Sequence, residues 1–503
     1  NTRVWGADGT VTGPAAEPVT REQVEEVLRD ENSAYRRLRR VMDAWCALWS
    51  WPLTADVPPP NWEDWLGGLE ALLGRGVVPG RAERSGQASF TDDLTWRGLD
   101  EAEELDLGYA GAMPVDEAVE KYPWLRVTER IAEEQGFFHW ELEFPQVFAK
   151  GGFDLQVGNP PWVRPDWDEA GVLAEHDPWW KLVPNAPEQE KKDRRKHTFS
   201  LPGAETWYLD QRAEQAGLSA HLGSAVDRPL LHGLQPDLYR CFMDRTWRSA
   251  APTGIISLIH PESHFTELRA AELRREAYRR LRRHWQYRNE KSLFPEINNT
   301  RTFGVHVYSA PQNPSFLHAG WIYQPDVIDR SLVHDGSGPE PGIRDELGRW
   351  DTRPHRARIT SVNQEVLQEW AALLDEPGAP FDQARLLFPV NRSSAAVLAK
   401  LAEAPRLGSL EISWTAGWHE SADRKRGWFE RRPSVPSSWE EIIFQGPHLT
   451  VATPVFQQPN PTAKNNVDYQ ALNLEKIAED FIPRTTYQRA RPADEYRAAL
   501  TSV

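Results

Sequence analysis

Residues 153–162, Phe-Asp-Leu-Gln-Val-Gly-Asn-Pro-Pro-Trp, constrain the chain more than any other stretch. The first six alternate in the manner of a short strand. The two prolines that follow forbid its continuation, because proline fixes φ and has no N–H to give to a sheet. A strand stopped in this way leaves Asn159, Pro160, Pro161 and Trp162 at its carboxyl end, which is where open α/β sheets place their sites.

The flanking sequence predicts such a sheet. An aromatic lead-in over 137–148 and a Gly-Gly pair at 151–152 precede the strand. After it come a helix over 237–248, a buried strand over 254–260, an arginine-rich helix over 268–285, and strands over 302–308 and 316–323 that end the sheet as an antiparallel hairpin. The fold class expected is α/β, the second half of an open sheet, with an N-terminal helical region and a C-terminal mixed domain. Three- and four-residue apolar spacing predicts helix over 21–50 and 62–73. The domain reading is therefore a helical region at 1–135, the sheet part at 136–325 with a polar insertion over 163–233, a linker at 336–341, and a separate region over 340–503 containing a helix at 363–374.

Composition limits the remaining possibilities. The chain has 503 residues, a net charge of −16, and two cysteines, Cys46 and Cys241, with no ligand-type neighbours. Neither a disulfide framework nor a metal site is expected from that spacing. The sequence shows no long apolar run and no leader pattern, so the chain is expected to be cytoplasmic and free of membrane. An acidic total makes any nucleic-acid surface a local matter. The basic runs are Arg36, Arg37, Arg39 and Arg40, then Lys191, Lys192, Arg194, Arg195 and Lys196, then 269–283, and last Arg424, Lys425, Arg426, Arg431 and Arg432. Each is weighed against a solvated helix face.

The four residues closing the strand suit a planar amine. The Asn159 side-chain oxygen and the Pro160 carbonyl can accept both N–H bonds of the amine while Trp162 stacks on its ring. Accepting both bonds returns electron density to a nitrogen whose lone pair is otherwise delocalised. The prolines leave those carbonyls preorganised. His139, Glu143 and Asp154 read as packing or hydrogen-bonding residues, and Glu190 with Lys192 lacks the upstream aspartate of a nuclease site.

Residues 137–147 and 151–162 resemble the large adenine-specific methylases of type IIG restriction-modification and of the BREX, phage-growth-limitation and DISARM defence systems. The likeness continues more loosely through 237–239, 254–261 and 293–295. It implies a methyltransferase-type sheet, S-adenosyl-L-methionine as methyl donor, double-stranded DNA as substrate with a flipped-out adenine N6 amine as acceptor, and other defence-system proteins as partners. Asn159, Pro160, Pro161 and Trp162 would form the adenine site, and Phe303 a further aromatic near the base. Lys191, Lys192, Arg194, Arg195, Lys196, Arg424, Lys425 and Arg426 are the candidate DNA contacts, and 340–503 is the expected target-recognition domain.

The sequence departs from the family in one respect. The family places a Gly-rich strand-to-helix turn upstream for the cofactor. Here Trp65-Leu66-Gly67-Gly68 and Leu222-Gly223-Ser224 lack the preceding strand and the spacing. Cofactor-binding residues are thus unassigned, and the chain is expected to be a fragment whose cofactor half lies before residue 1. Two other readings stay open: a DNA-binding specificity subunit without catalysis, and a protein glutamine methyltransferase, which usually has tyrosine where Trp162 stands.

Overall fold

The computed structural model describes residues 20–75, 107–405, 417–450, 455–465 and 467–499. The chain forms two compact units, Asn1–Glu403 and Ala404–Val503.

The first unit begins with helices Arg21–Arg29, Ala34–Ala47 and Trp62–Leu73, capped by Thr20, Ser33 and Asn61, whose side chains accept from backbone N–H groups in the first turn. The capping signals at 30–33 divide the helix expected over 21–50. Gly67 and Gly68 serve packing: a Cβ would stand 2.4 Å from the Tyr122 hydroxyl at the first and 2.4 Å from the Trp124 ring at the second. Trp65 stacks on Trp124 at 5.4 Å, and with Leu72, Leu125 and Ile131 they form a core of their own. The Arg36–Arg40 run belongs to this layer. Arg37 is buried and donates to the carbonyls of Leu72 and Met113, while Arg40 pairs with Glu31 and Glu129.

A six-stranded sheet follows, made of β1 (Phe153–Gly158), β2 (Ala250–His260), β3 (Leu281–Arg288), β4 (Thr302–Tyr308), β5 (Phe316–Ile322) and β6 (Thr360–Val362) in the order β1-β2-β4-β3-β5-β6. β1 is parallel to β2, β4 is antiparallel to both β2 and β3, β3 is parallel to β5, and β6 closes the far edge antiparallel to β5. The fold is therefore α/β with a helical N-terminal region, as expected. Helices Leu238–Ser249, Ala271–Arg280 and Gln364–Leu374 cover one face, burying Met243, Leu273, Ala277 and Leu367 against Ile256, Leu258 and Tyr308. The opposite face carries Phe303, Tyr287 and Ile322 under helix Asp326–Leu332.

Two expectations about the sheet are corrected. The arginine-rich helix ends at Arg280, and Leu281–Arg288 is strand β3 rather than two more helical turns. β4 and β5 are consequently not a hairpin, because β3 lies between them. The physical reason is non-local. The run Leu-Arg-Arg-His-Trp-Gln-Tyr-Arg has no Gly or Pro before it to mark a boundary, and its strand state comes from pairing on both sides.

The insertion over 163–233 is helical, with Glu188–Phe199 and Ala204–Leu222 its longest elements. Gly217 lets the second of these cross the N-terminal layer, since a Cβ there would meet the Trp49 carbonyl oxygen at 1.4 Å. The 340–403 stretch, expected to open the C-terminal region, packs with the first unit: Arg274 and Tyr278 donate to the carbonyls of Gln383 and Ala384.

The second unit pairs β7 (Phe429–Ser434) with β10 (Thr485–Arg489), and β8 (Gln457–Pro459) with β9 (Tyr469–Ala471), both antiparallel. Trp418 packs on Trp428 and Tyr496.

Candidate active site at the carboxyl end of β1

The position of β1 depends on glycine. Gly152 has φ +119°, and a Cβ there would lie 2.5 Å from the Ser249 carbonyl oxygen and 2.7 Å from the Ala250 carbonyl carbon. Only glycine accepts that backbone and that approach together. The strand then runs in register with β2, Leu155 opposite Ile255 and Gly158 opposite Leu258. It stops at the prolines.

Beyond the stop, Asn159 is exposed, Pro160 buried and Trp162 half-buried. The Trp162 indole N–H donates to the Ile259 carbonyl at 3.1 Å, which ties the motif to the carboxyl end of β2. Its ring lies 5.5 Å from Phe303 and 5.3 Å from Phe294, and Phe303 in turn stacks on Tyr287 at 5.6 Å. Phe303 is 3 % exposed, so in this structure it supports the Trp162 ring from below and presents no free face. The sheet brings Asn159, Pro160, Trp162 and Phe303 together although 303 is remote in sequence. Antiparallel pairing of β2 with β4, His260 opposite Gly304, makes that juxtaposition.

Beside Asn159 is a groove of about 690 Å³, lined by Phe153, Val157, Asn159, Pro160, Leu238 and Phe242 among others. Its charged lining residues are Arg228 and Arg245. It holds no carboxylate to take ribose hydroxyls, and among the described residues no Gly-rich turn follows a parallel strand. The described residues thus do not make up a complete site for S-adenosylmethionine. β1 is moreover a sheet edge among the described residues, with Leu155 64 % and Val157 75 % exposed. Parallel strands are ordinarily covered on both faces.

The expected DNA contacts divide into two kinds. Arg194 donates to both oxygens of Asp177 at 2.6 and 2.7 Å, and Arg195 reaches Glu169 at 2.8 Å. Both guanidiniums also lie over tryptophans, Trp179 and Trp180. These two arginines hold the insertion together. Lys191 pairs with Glu188 at 3.1 Å, while Lys192 and Lys196 are exposed. In the second unit Arg424, Lys425 and Arg426 are exposed, with Arg426 3.1 Å from Asp423. Residues 406–416 and 466 lie outside the described residues. His139 contacts Asp43 at 2.8 Å and Glu143 meets Arg39 at 3.2 Å, which agrees with structural roles.

The Arg194 guanidinium, with Thr198 and the Trp179 N–H, holds the Asp177 carboxyl down at about 2. A folded-state value below the ordinary 3.8 gives stability that is present above the unfolded value and lost as the pH falls from about 3.8 to about 2. The Asp177→Asn variant should therefore be less stable at neutral pH and lose less on acidification through that window, as read by thermal unfolding across a pH series.

Residues 108–191 match the family model described as Eco57I restriction-modification methylase. That segment runs from the N-terminal helices through β1 and the Asn159–Trp162 motif into helix Glu188–Phe199. The matched segment contains Asn159, Pro160, Pro161 and Trp162 but not Phe303. No curated protein matches the chain. Solved structures similar to it include these two. One is the M protein of the type I restriction enzyme EcoKI, at 10% identity, covering 76% of this chain and 93% of that one with a TM-score of 0.22. The other comes from work on complex assembly and conformational transition of the type I R-M system, at 11% identity, covering 76% and 94% with a TM-score of 0.21. At those values neither likeness bears on fold or function. Among the described residues no helix is long and apolar enough to cross a membrane.

What sequence reasoning missed is a set of buried histidines behind the motif, on the helix-covered face. Five of the fourteen histidines lie between 260 and 318. His260, His306 and His318 fall in or beside stretches expected as strands, which was the available signal, whereas His284 falls in the expected helix and His264 lies in the short helix Ser263–Thr266.

Proposed function

We propose that this chain is the base-holding part of a DNA methyltransferase that acts on the N6 amine of a flipped-out adenine. The observation that carries the reading is the arrangement of the motif. Asn159 is exposed at the strand end, and Trp162 beside it is pinned by its indole N–H and backed by Phe294 and Phe303. A preorganised aromatic plane next to a free amide oxygen offers stacking and an acceptor without reorganisation. The family match over 108–191 supports a restriction-modification methylase.

In this reading Asn159 Oδ1 and the Pro160 carbonyl accept the two amine hydrogens, which holds the nitrogen pyramidal with its lone pair directed away from the ring. Trp162 offsets part of the few kcal/mol that base extrusion costs. The methyl donor, S-adenosylmethionine, has no complete site in the described residues. The open edge of β1 and its exposed Leu155 and Val157 favour continuation of the sheet by further strands that carry one.

The test is tritiated methyl transfer from S-adenosylmethionine to unmethylated DNA, by this chain and by the longest natural product that contains it. Activity confined to the longer product supports the reading. Full activity of the 503-residue chain overturns the cofactor part of it, and DNA binding without transfer by either leaves a non-catalytic specificity subunit. With 2-aminopurine at the target position, fluorescence should rise on binding, and Trp162→Ala should reduce that rise by about tenfold, the equivalent of ~1.4 kcal/mol of lost stacking.

A further inference from the structure

His260, His264, His284, His306 and His318 are each fully buried on the helix-covered face of the sheet, and Glu262 beside them is 6 % exposed. The strand registers align them: His306 of β4 stands opposite His284 of β3, and His284 opposite His318 of β5. The His260 and His306 rings stack at 3.8 Å with 3° between planes, and His284 lies 4.8 Å from His306. Glu262 Oε1 meets His284 Nε2 at 2.6 Å, its other oxygen accepts from Gln286 at 2.9 Å, and His284 Nδ1 meets His318 Nδ1 at 2.9 Å.

That network leaves several nitrogens unused. Neither ring nitrogen of His264 has a hydrogen-bond partner, and His306 has only a weak hydrogen bond to the Leu258 carbonyl. A buried donor or acceptor left without a partner costs about 1–3 kcal/mol, so imidazoles this poorly matched call for a ligand. Gly304 gives an independent indication. It has no positive φ, so the backbone does not require glycine. A Cβ there would, however, lie 2.7 Å from His306 Nε2 and 3.0 Å from His284 Nε2. The missing side chain keeps open a point close to both nitrogens. One ligand atom each from Glu262, His284 and His306 lie within 4.8 Å of one another.

We propose that Glu262, His284 and His306 bind a divalent first-row transition-metal ion of the zinc type, in a closed structural site that ties β2, β4 and β3 together behind the Asn159–Trp162 motif. Two imidazoles and a carboxylate are a zinc-type donor set, and His264, its ring centroid 6.0 Å from that of His306, would have to move in to supply a fourth donor. The Glu262–His284 pair opens from its 2.6 Å hydrogen bond to the ~3.3 Å that separates donors of a tetrahedral ion with bonds of about 2.0 Å. Burial holds His284 neutral, pushed down to about 3, and a neutral imidazole is the form that ligates. The same burial pushes the Glu262 carboxyl up to about 8. The neighbouring cations are already engaged: Arg240 with Glu267, and Arg274 with the carbonyls of His264, Glu267 and Gln383. The function of the ion would be rigidity. Ile259, whose carbonyl orients Trp162, lies in β2 next to this cluster.

The test uses the full chain carrying an affinity tag without histidine, stripped with chelator, dialysed against Zn²⁺ or Co²⁺, and passed over a desalting column. About one ion per chain by mass spectrometry, with the intense visible bands of four-coordinate Co²⁺, is the expected result. Gly304→Ala, which keeps every ligand, and His306→Gln should each retain at least tenfold less metal, while His232→Ala, at an exposed histidine, should retain it unchanged. No retained ion in the unmodified chain, or only the weak bands of six-coordinate Co²⁺, overturns the proposal. So does equal retention by Gly304→Ala and His306→Gln. The unmodified-chain measurements decide the matter even if both variants fail to fold.

Discussion

Replacing Asn159 by alanine is expected to lower methyl transfer by about 10²- to 10³-fold in any assembly of this chain that is active, with DNA affinity nearly unchanged. The size follows from what the side chain would do. Its oxygen accepts one of the two N–H bonds that must be held for the amine to become nucleophilic. That interaction strengthens as charge develops, so its loss falls on kcat more than on KM. Asn159 is exposed at the end of β1 and supports no core, so its truncation should leave stability within about 0.5 kcal/mol. Single-turnover kinetics separates the two effects. An unchanged transfer rate would move the acceptor role off this residue and leave the Pro160 carbonyl alone with it.

Gly152→Ala is expected to destabilise the first unit by about 3 kcal/mol, and to abolish methyl transfer as well. Two causes add: a backbone at φ +119° that L-residues rarely adopt, and a Cβ 2.5 Å from the Ser249 carbonyl oxygen, where backbone rather than a flexible side chain would have to move. The control is Gly111→Ala, at φ +76° with nothing within 4 Å, which should cost only the ~1 kcal/mol of the left-handed conformation. Urea unfolding followed by tryptophan fluorescence measures both. Equal losses in the two variants would mean that β1 shifts on β2 without penalty, and the registry that places Asn159 would then be soft.

The arrangement at β1 was legible from local signals. The glycine pair, the alternating strand and the prolines all lie within a dozen residues and each acts through its own backbone. The same holds for helix Trp62–Leu73 and for Gln364–Leu374, whose Asn363 cap accepts from the Val366 N–H. The basic runs were legible as charge but not as function. Whether a guanidinium faces solvent depends on the partner the fold brings to it, Asp177 for Arg194 and the Leu72 carbonyl for Arg37.

Sequence alone determined that a strand stops at Asn159 in an α/β sheet, because proline chemistry and two-residue periodicity are local properties that survive in any fold. Tertiary structure decided that Leu281–Arg288 is a strand, that β4 separates β2 from β3, and that Phe303 lies beneath Trp162. It also decided that His284 of β3 and His306 of β4 converge on the space left by Gly304, with Glu262 beside them. Those outcomes rest on hydrogen bonds and contacts between segments far apart in the chain, and such pairing has no counterpart in the order of neighbouring residues.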